Sequence, residues 1–305
     1  MAKGSKTSSF GTTSRIGHDS SIYYSSRLYE EQAESSNGYA EPSIDNSFPV
    51  EHENTVIQGT AEYMSDLPDN CLHLMVTSPP YNASKEYDED LSLFEYLALL
   101  ERVFKETYRV LVWGGRACVN IANLGRRPYI PLSDYVSKMM IDIGFKMRGE
   151  IIWNKAAGAG VSMAWGSFRS ASNPVLRDVH EYILVFSKGD FARKKPAGSE
   201  STISKEQFIE WTKSIWTMNP ESAKKIGHPA PFPTELPYRL IQLYTFSGDI
   251  VLDPFMGSGT TAIAAIQSRR KYVGYEIDPE YVKLANARIE PYKNQLKLDF
   301  MAHQP

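Results

Sequence analysis

From about residue 54 onward, apolar positions follow two patterns that predict two kinds of element. Continuous apolar runs are typical of buried strands, and apolar residues spaced three and four apart are typical of helices. The predicted strands are NTVIQG (54–59), LHLMVT (72–77), RACVNIA (116–122), KMRGEIIW (146–153), HEYILVFS (180–187), DIVLD (249–253) and KYVGYEI (271–277). The predicted helices are 92–111, 133–144, 234–246, 258–268 and 278–292. This alternation predicts an α/β fold with a mostly parallel, doubly wound sheet.

The first 50 residues lack this periodicity and are rich in Ser, Gly and Tyr. We therefore expect a loosely packed N-terminal arm over these residues and one α/β domain over residues 51–305. The cluster at 22–29 is too apolar for a pure linker, which suggests that it docks on the body, on a second subunit or on a ligand. Two polar stretches, 154–174 and 187–227, interrupt the sheet pattern, and a turn is expected at Gly114-Gly115.

Composition narrows the class of protein. The 305 residues are 42% hydrophobic and 23% charged, as in an ordinary globular protein. A formal net charge of −3 means that binding to a polyanion would need a local basic face. Cys71 and Cys118 form no metal-ligand pattern and no disulfide framework, so we expect a reducing compartment and no metal. We find no run of about 20 apolar residues and no signal-peptide pattern, which predicts a cytoplasmic protein without a membrane segment.

A glycine-rich turn lies between a strand and a helix in DIVLDPFMGSGTTAIAA, residues 249–265. A P-loop would need a Lys-Ser/Thr pair where Thr260-Thr261 stand, whereas a dinucleotide site and a plain tight connection both stay open. Glu276 ends the next strand, 19 residues after Gly257, where a carboxylate accepts hydrogen bonds from ribose hydroxyls. Together, the glycine-rich turn and Glu276 favour a nucleoside-bearing cofactor that needs no pyrophosphate site.

Three segments together resemble the amino-group DNA methyltransferases. DPFMGSGTT at 253–261 is similar to their S-adenosylmethionine motif, SPPY at 78–81 to their catalytic motif, and 228–241 to their remaining cofactor segment. The catalytic motif stands 175 residues before the cofactor motif, as in the beta group of the family. The resemblance implies a Rossmann-like, S-adenosylmethionine-dependent methyltransferase fold with a circularly rearranged motif order.

The same resemblance implies a set of cofactor contacts. These are Asp253, Pro254, Phe255, Gly257, Ser258, Gly259, Thr260, Glu276 and Thr234. For Phe255 core packing is an equal alternative, and for Thr234 a helix N-cap is the alternative. The family commonly carries Gly-Asp after the first strand, but this chain has Gly59-Thr60, which leaves Asp66 as a substitute.

The corner formed by Ser78, Pro79, Pro80 and Tyr81 fits transfer of a methyl group to an exocyclic amine. The amine lone pair is delocalised into the base. Hydrogen-bond acceptors placed against the two N–H groups would make that lone pair available for attack on the methyl group. Ser78 Oγ and the Pro79 carbonyl supply such acceptors, and two prolines hold the backbone rigid. Tyr81 offers a face for stacking. A base in a duplex would have to be flipped out to reach this corner.

Ser at the first motif position usually accompanies cytosine N4 methylation in this family, whereas Asp or Asn usually accompanies adenine N6 methylation. Adenine N6 therefore stays the alternative, and a catalytically silent DNA- or nucleotide-binding protein is a second one. Methylation at cytosine carbon 5 needs a nucleophilic thiolate after a proline. Cys71 follows Asn70 and Cys118 follows Ala117, so both cysteines are interpreted as core residues.

Double-stranded DNA is the expected partner, and basic groups could hold its phosphates. The candidates are Arg126, Arg127, Arg193, Lys194 and Lys195. The family places target recognition between the catalytic and cofactor halves, so 187–227 is the preferred region and 154–174 a second one. A homodimer is compatible with the resemblance, as is a cognate restriction endonuclease that acts on the same sites without stable binding.

Overall fold

The computed structural model describes residues 5–6, 18–19, 45–80, 91–125, 127–155, 167, 169–221, 226 and 232–302, with side chains described within these ranges from residue 45 to residue 294. The chain divides into two compact units, Met1–Pro42 and Ser43–Pro305. In the first unit, strand β1 (Ser5–Lys6) pairs in parallel with β2 (His18–Asp19). The arm boundary predicted at residue 50 stays a prediction, although Phe48 already packs against the core of the second unit.

The second unit is built on one eight-stranded sheet. Its strands are β3 (Thr55–Gln58), β4 (Leu72–Thr77), β5 (Leu111–Ile121), β6 (Phe145–Asn154), β7 (His180–Lys188), β8 (Ile215–Thr217), β9 (Ile250–Asp253) and β10 (Lys271–Glu276). Their order in the sheet is β3-β10-β9-β4-β5-β7-β6-β8. All the pairings are parallel except those of β7, which runs antiparallel to β5 and β6.

Six helices are described in this unit. They are α1 (Leu93–Val110), α2 (Leu132–Ile143), α3 (Lys205–Trp211), α4 (Glu235–Tyr244), α5 (Thr260–Gln267) and α6 (Pro279–Ala302). One hydrophobic cluster packs α1 and α2 on one face of the sheet, and a second cluster packs α4, α5 and α6 on the other. The predicted Rossmann-like α/β fold is therefore confirmed. No helix in the described ranges has the length and apolar character needed to cross a bilayer.

Helix α1 shows how local sequence determines an element. Ser92 accepts a hydrogen bond from the Glu95 backbone N–H, and the Glu95 carboxylate accepts one from the Ser92 N–H, which forms a capping box. Hydrogen bonds to the Glu95 carboxylate from the Ser92 hydroxyl and from the Ser92 N–H hold the pKa of Glu95 below its ordinary value. Buried residues then follow at helical spacing from Tyr96 to Val110. The helix lies within one residue at each end of the predicted range.

The region after α1 differs from the prediction. Strand β5 begins at Leu111, directly after the helix, and includes Gly114-Gly115, where we expected a turn. An irregularity in the β4–β5 register absorbs the extra residues, and Gly114 adopts φ +76° inside the strand. Helix α3 and strand β8 were also missed, because both lie in the polar interval 187–227.

The two edges of the sheet have different surroundings. We call the edge where the parallel strands end the carboxyl edge, and the opposite edge the amino edge. Ser78, Glu276 and the glycine-rich turn follow β4, β10 and β9, so they meet at the carboxyl edge. Strand β7 runs the other way and reaches the amino edge at Lys188. Ligands of open α/β sheets bind at the carboxyl edge, where the order of strands reverses.

Candidate active site

Asp253 joins the two predicted motifs. Its carboxylate accepts hydrogen bonds from Thr77 Oγ1 at 2.7 Å and from Thr261 Oγ1 at 2.6 Å, and also from the Phe255 N–H at 3.1 Å. Thr77 is the residue before Ser78, and Thr261 belongs to the first turn of α5. The carboxylate thus ties the catalytic corner to the cofactor turn across neighbouring strands.

Asp253, a predicted cofactor contact, is enclosed by protein donors. The residue is only 2% exposed, and its carboxylate is occupied by three protein donors. Burial raises its pKa to about 7, against the opposing effect of the hydrogen bonds from Thr261 and Thr77. Asp253 therefore supports the site from inside.

This raised pKa predicts a pH-dependent stability. Between about pH 4 and pH 7, the folded state retains the Asp253 proton that the unfolded state has lost, so the contribution of this group to stability falls as pH rises. Relative to Asp253→Asn, the wild-type protein should lose a few kcal/mol of unfolding free energy across that window. Urea unfolding at several pH values measures this difference, and identical pH profiles for the two proteins would contradict it.

The glycine-rich turn is shaped by close packing. Gly259 precedes α5 with φ +81°, and a Cβ there would lie 3.0 Å from Ile289 Cδ1 of α6. Gly274 on β10 has a similar constraint, since a Cβ would lie 1.9 Å from Cε of Met256. Sequence reasoning missed a further contact, in which the Arg288 guanidinium donates to the Ser258 carbonyl. Ser258 in the turn and Thr260 at the start of α5, both predicted to contact the cofactor, are buried.

Glu276 ends β10, where the sequence predicts a ribose contact. Its Oε2 accepts from the Gly257 N–H at 2.8 Å, and its Oε1 accepts from the Asp278 N–H at 3.0 Å. A carboxylate has about four acceptor positions, so these bonds leave acceptor capacity for a hydroxyl group. Burial raises the pKa of Glu276. The donor set of the turn and the half-buried carboxylate fit a nucleoside ligand.

The remaining predicted cofactor residues follow β9 or β3, or precede α4. Pro254 is buried, and Phe255 is half-buried and packs against the core. Thr234 stands just before α4 at the carboxyl edge, and its side chain makes no capping hydrogen bond to the helix. Gly59 follows β3 beside Glu276 and donates its N–H to the Glu276 carbonyl at 2.9 Å, while Asp66 is exposed.

The catalytic corner begins directly after β4. Ser78 and Pro80 are half-buried and Pro79 is buried, whereas Tyr81 lies outside the described residues. Asn120 Nδ2, at the end of β5, lies 3.4 Å from Ser78 Oγ. Asn120 and its partner Glu181 were missed by sequence reasoning. A polar residue inside each of two apolar strands, VNIA and HEYILVF, was the available signal, because buried polar groups need partners.

The predicted DNA contacts fall on both edges. Arg127 is exposed after β5 at the carboxyl edge, and Arg126 lies outside the described residues. Arg193, Lys194 and Lys195 follow the end of β7, which places them at the amino edge, away from Ser78. Arg193 forms an ion pair with the buried Asp249 just before β9. These three residues therefore take no part in the DNA-binding surface proposed below, because β7 reverses the direction of the chain.

Both cysteines are core residues, as predicted. Cys71 and Cys118 are buried and free, and burial raises the pKa of each thiol to about 12. A thiol with such a pKa is a poor nucleophile at neutral pH. Within the described ranges, no three His, Cys, Asp or Glu side chains are grouped to hold a metal ion.

A Rossmann-like sheet with a nucleoside-type site beside a Ser-Pro-Pro corner defines the class of the α/β methyltransferases. The family model described as DNA methylase matches residues 72–287. This chain therefore belongs to the N6/N4 DNA methylase family.

The relatives agree with this assignment. The chain is 32% identical over 300 residues to the type II methyltransferase M.MjaI of Methanocaldococcus jannaschii, covering 83% of this chain and 97% of that protein. A DNA modification methylase of Thermus thermophilus, solved with S-adenosyl-L-methionine, is 31% identical with a TM-score of 0.63, covering 77% of this chain and 92% of the other. PvuII DNA methyltransferase (cytosine-N4-specific) is 21% identical with a TM-score of 0.60, covering 79% and 91%, and shows the fold alone.

Proposed function

We propose that this DNA methylase transfers a methyl group from S-adenosylmethionine to the exocyclic N4 amine of cytosine in double-stranded DNA. One observation carries the proposal: a serine hydroxyl, not a carboxylate, begins the catalytic corner, and Thr77–Asp253 joins that corner to the cofactor turn at 2.7 Å. The general activity, DNA methylation by an enzyme of the N6/N4 type, follows from family membership.

S-Adenosylmethionine fits the residues at the carboxyl edge, and it supplies a methyl group made electrophilic by the sulfonium. Glu276 would hold the ribose hydroxyls with its remaining acceptor capacity. Thr234 has a hydroxyl near the same edge that makes no capping hydrogen bond to α4. The Thermus thermophilus relative bound to this cofactor supports the assignment.

The chain's own part in the reaction is to present and orient the target amine. Ser78 Oγ and the Pro79 carbonyl would accept hydrogen bonds from the two N–H groups of the amine. These bonds would direct the lone pair of the amine toward the cofactor. Alignment of the reacting atoms supplies much of the rate in such a displacement. The nitrogen becomes acidic once it is methylated, so its proton can leave without a strong base.

DNA would approach the carboxyl edge, because the flipped base has to reach Ser78 there. Arg127 is exposed on this edge, and the connection between β6 and β7, including the described residues 169–179, also leaves from it. The preferred recognition region 187–227 reaches this edge only after β8, at residue 218. We therefore propose 154–174 and the part of 187–227 beyond β8 as the recognition surface.

The relatives named as type II methyltransferases favour a role in a restriction-modification system. In that role the enzyme would protect DNA in the cytoplasm from a cognate endonuclease acting on the same sites, with no stable complex between the two. The proposal holds for a monomer as well as for a homodimer.

Product analysis tests the proposal. The protein is incubated with tritiated S-adenosylmethionine and DNA of mixed sequence, and the nucleosides are then separated. We expect label in N4-methylcytosine. Label in N6-methyladenine would overturn the choice of base, and cofactor binding without any labelled nucleoside would favour a silent binding protein. A Ser78→Ala protein serves as the background control.

A further inference from the structure

A buried polar network lies directly behind Ser78. Asn120 Nδ2 donates to Glu181 Oε2 at 2.5 Å and lies 3.4 Å from Ser78 Oγ. Lys155 Nζ donates to Glu181 Oε1 at 2.5 Å, and its ammonium lies 5.1 Å from the Trp153 ring centroid. Asn120 on β5, Glu181 on β7 and Lys155 just after β6 thus form one network that reaches the Ser78 hydroxyl through Asn120.

The charges of this network explain how it is held together. Asn120 is 2% exposed and Glu181 is 8% exposed, so both belong to the interior. A buried carboxylate is costly unless it is paired and hydrogen-bonded, and Lys155 and Asn120 provide one partner for each oxygen. The network is therefore built around the Glu181 carboxylate.

Glu181 also decides which way the Asn120 amide points. An ionised carboxylate only accepts hydrogen bonds, so the amide must turn its NH₂ group, and not its oxygen, toward Glu181. That NH₂ group has a second hydrogen, which faces Ser78 Oγ. Contacts of catalytic groups are often long without substrate and shorten in the complex, which suits a separation of 3.4 Å.

The contact with Asn120 constrains the direction of the lone pairs on Ser78 Oγ. A serine oxygen has two acceptor positions and rotates freely unless a partner fixes it. When one position accepts from Asn120, the second is held in a defined direction for the amine of the base.

Since the role of Ser78 rests on the proposed function, so does this inference. We propose that Asn120, oriented by the Glu181–Lys155 pair, is a positioning residue that fixes the Ser78 hydroxyl for methyl transfer.

Single-turnover transfer of tritiated methyl groups to DNA, with enzyme in excess, tests this role. Asn120→Ala should slow transfer by about 10- to 100-fold, the scale of a lost alignment, while the Kd for S-adenosylmethionine stays within about twofold of wild type. Glu181→Gln keeps the size of the side chain but not its charge, so it should slow transfer less and should fold even where Asn120→Ala does not. A wild-type rate in both variants would overturn the proposal.

A double-mutant cycle separates positioning from general damage. If Asn120 acts through Ser78, then Asn120→Ala should cause no further loss in a Ser78→Ala protein. An equal loss in both backgrounds would show that Asn120 acts elsewhere. Gln242→Ala is the matched control, because Gln242 is a buried amide on α4 that bonds Thr202, and its loss should lower stability but not the transfer rate. If the wild-type protein labels no DNA, the proposed function fails and not this inference alone.

Discussion

Ser78→Ala should lower single-turnover methyl transfer by about 100- to 1,000-fold, the loss seen when one preorganised hydrogen-bonding group is removed from a reacting centre. The hydroxyl is the side-chain acceptor at the corner, and alanine leaves the Pro79 carbonyl to act alone. Affinity for S-adenosylmethionine should stay at the wild-type value, because Thr77–Asp253 and the cofactor turn are unchanged. Calorimetric titration and a filter-binding methylation assay measure the two quantities.

The control is Ser187→Ala. Ser187 is a buried serine on β7 with no hydrogen-bond partner for its hydroxyl among the described residues, and it lies near the amino edge. This variant should transfer methyl groups at the wild-type rate. If Ser78→Ala lowered cofactor affinity and the transfer rate to the same degree, Ser78 would be part of the cofactor site. The catalytic role proposed for it would then be wrong.

Glu276→Gln should weaken S-adenosylmethionine binding by about 10- to 100-fold, because hydrogen bonds to a charged acceptor are worth about 1.5–3 kcal/mol. Glutamine keeps one oxygen for the turn but places an NH₂ group where a ribose hydroxyl donates. Since burial raises the pKa of Glu276, cofactor affinity of the wild-type protein should fall on acidification at a higher pH than for an ordinary glutamate. The variant should lose this pH dependence.

Glu280→Gln provides the matched comparison for the second prediction. Glu280 lies four residues further along the chain, and its exposed carboxylate pairs with Lys283. Its replacement should leave both the affinity and its pH profile unchanged. Titration of each variant with cofactor between about pH 5 and pH 8 gives the result, and equal affinities for the two variants would exclude Glu276 from the site.

The sequence predicted the elements that have strong local signals. LHLMVT forms β4 with the predicted bounds, and Gly144 ends α2 in the left-handed conformation with φ +117°. Glu276 was also found correctly at the end of β10, since a carboxylate after a strand has a fixed place in such folds. These features depend on residues close together in the chain.

What could not be predicted depends on contacts between distant segments. The bond between Asp253 and Thr77 spans 176 positions and has no local signature. The ion pair of Arg193 with Asp249 at the amino edge depends on the reversed direction of β7. The Asn120–Glu181 contact likewise depends on the pairing of β5 with β7.

The order of the strands has a consequence for how the protein is made. β3 and β4 follow one another in the chain, yet β9 and β10 lie between them in the sheet. β9 and β10, the last two strands synthesised, must therefore insert between β3 and β4, the first two strands of this unit. Pairings between such distant segments are slow to form, since the intervening chain must first be ordered. A nascent chain that has emerged only as far as Ser187 carries Ser78 without Asp253, so the corner that begins at Ser78 and the cofactor turn come together only after residue 276 has left the ribosome.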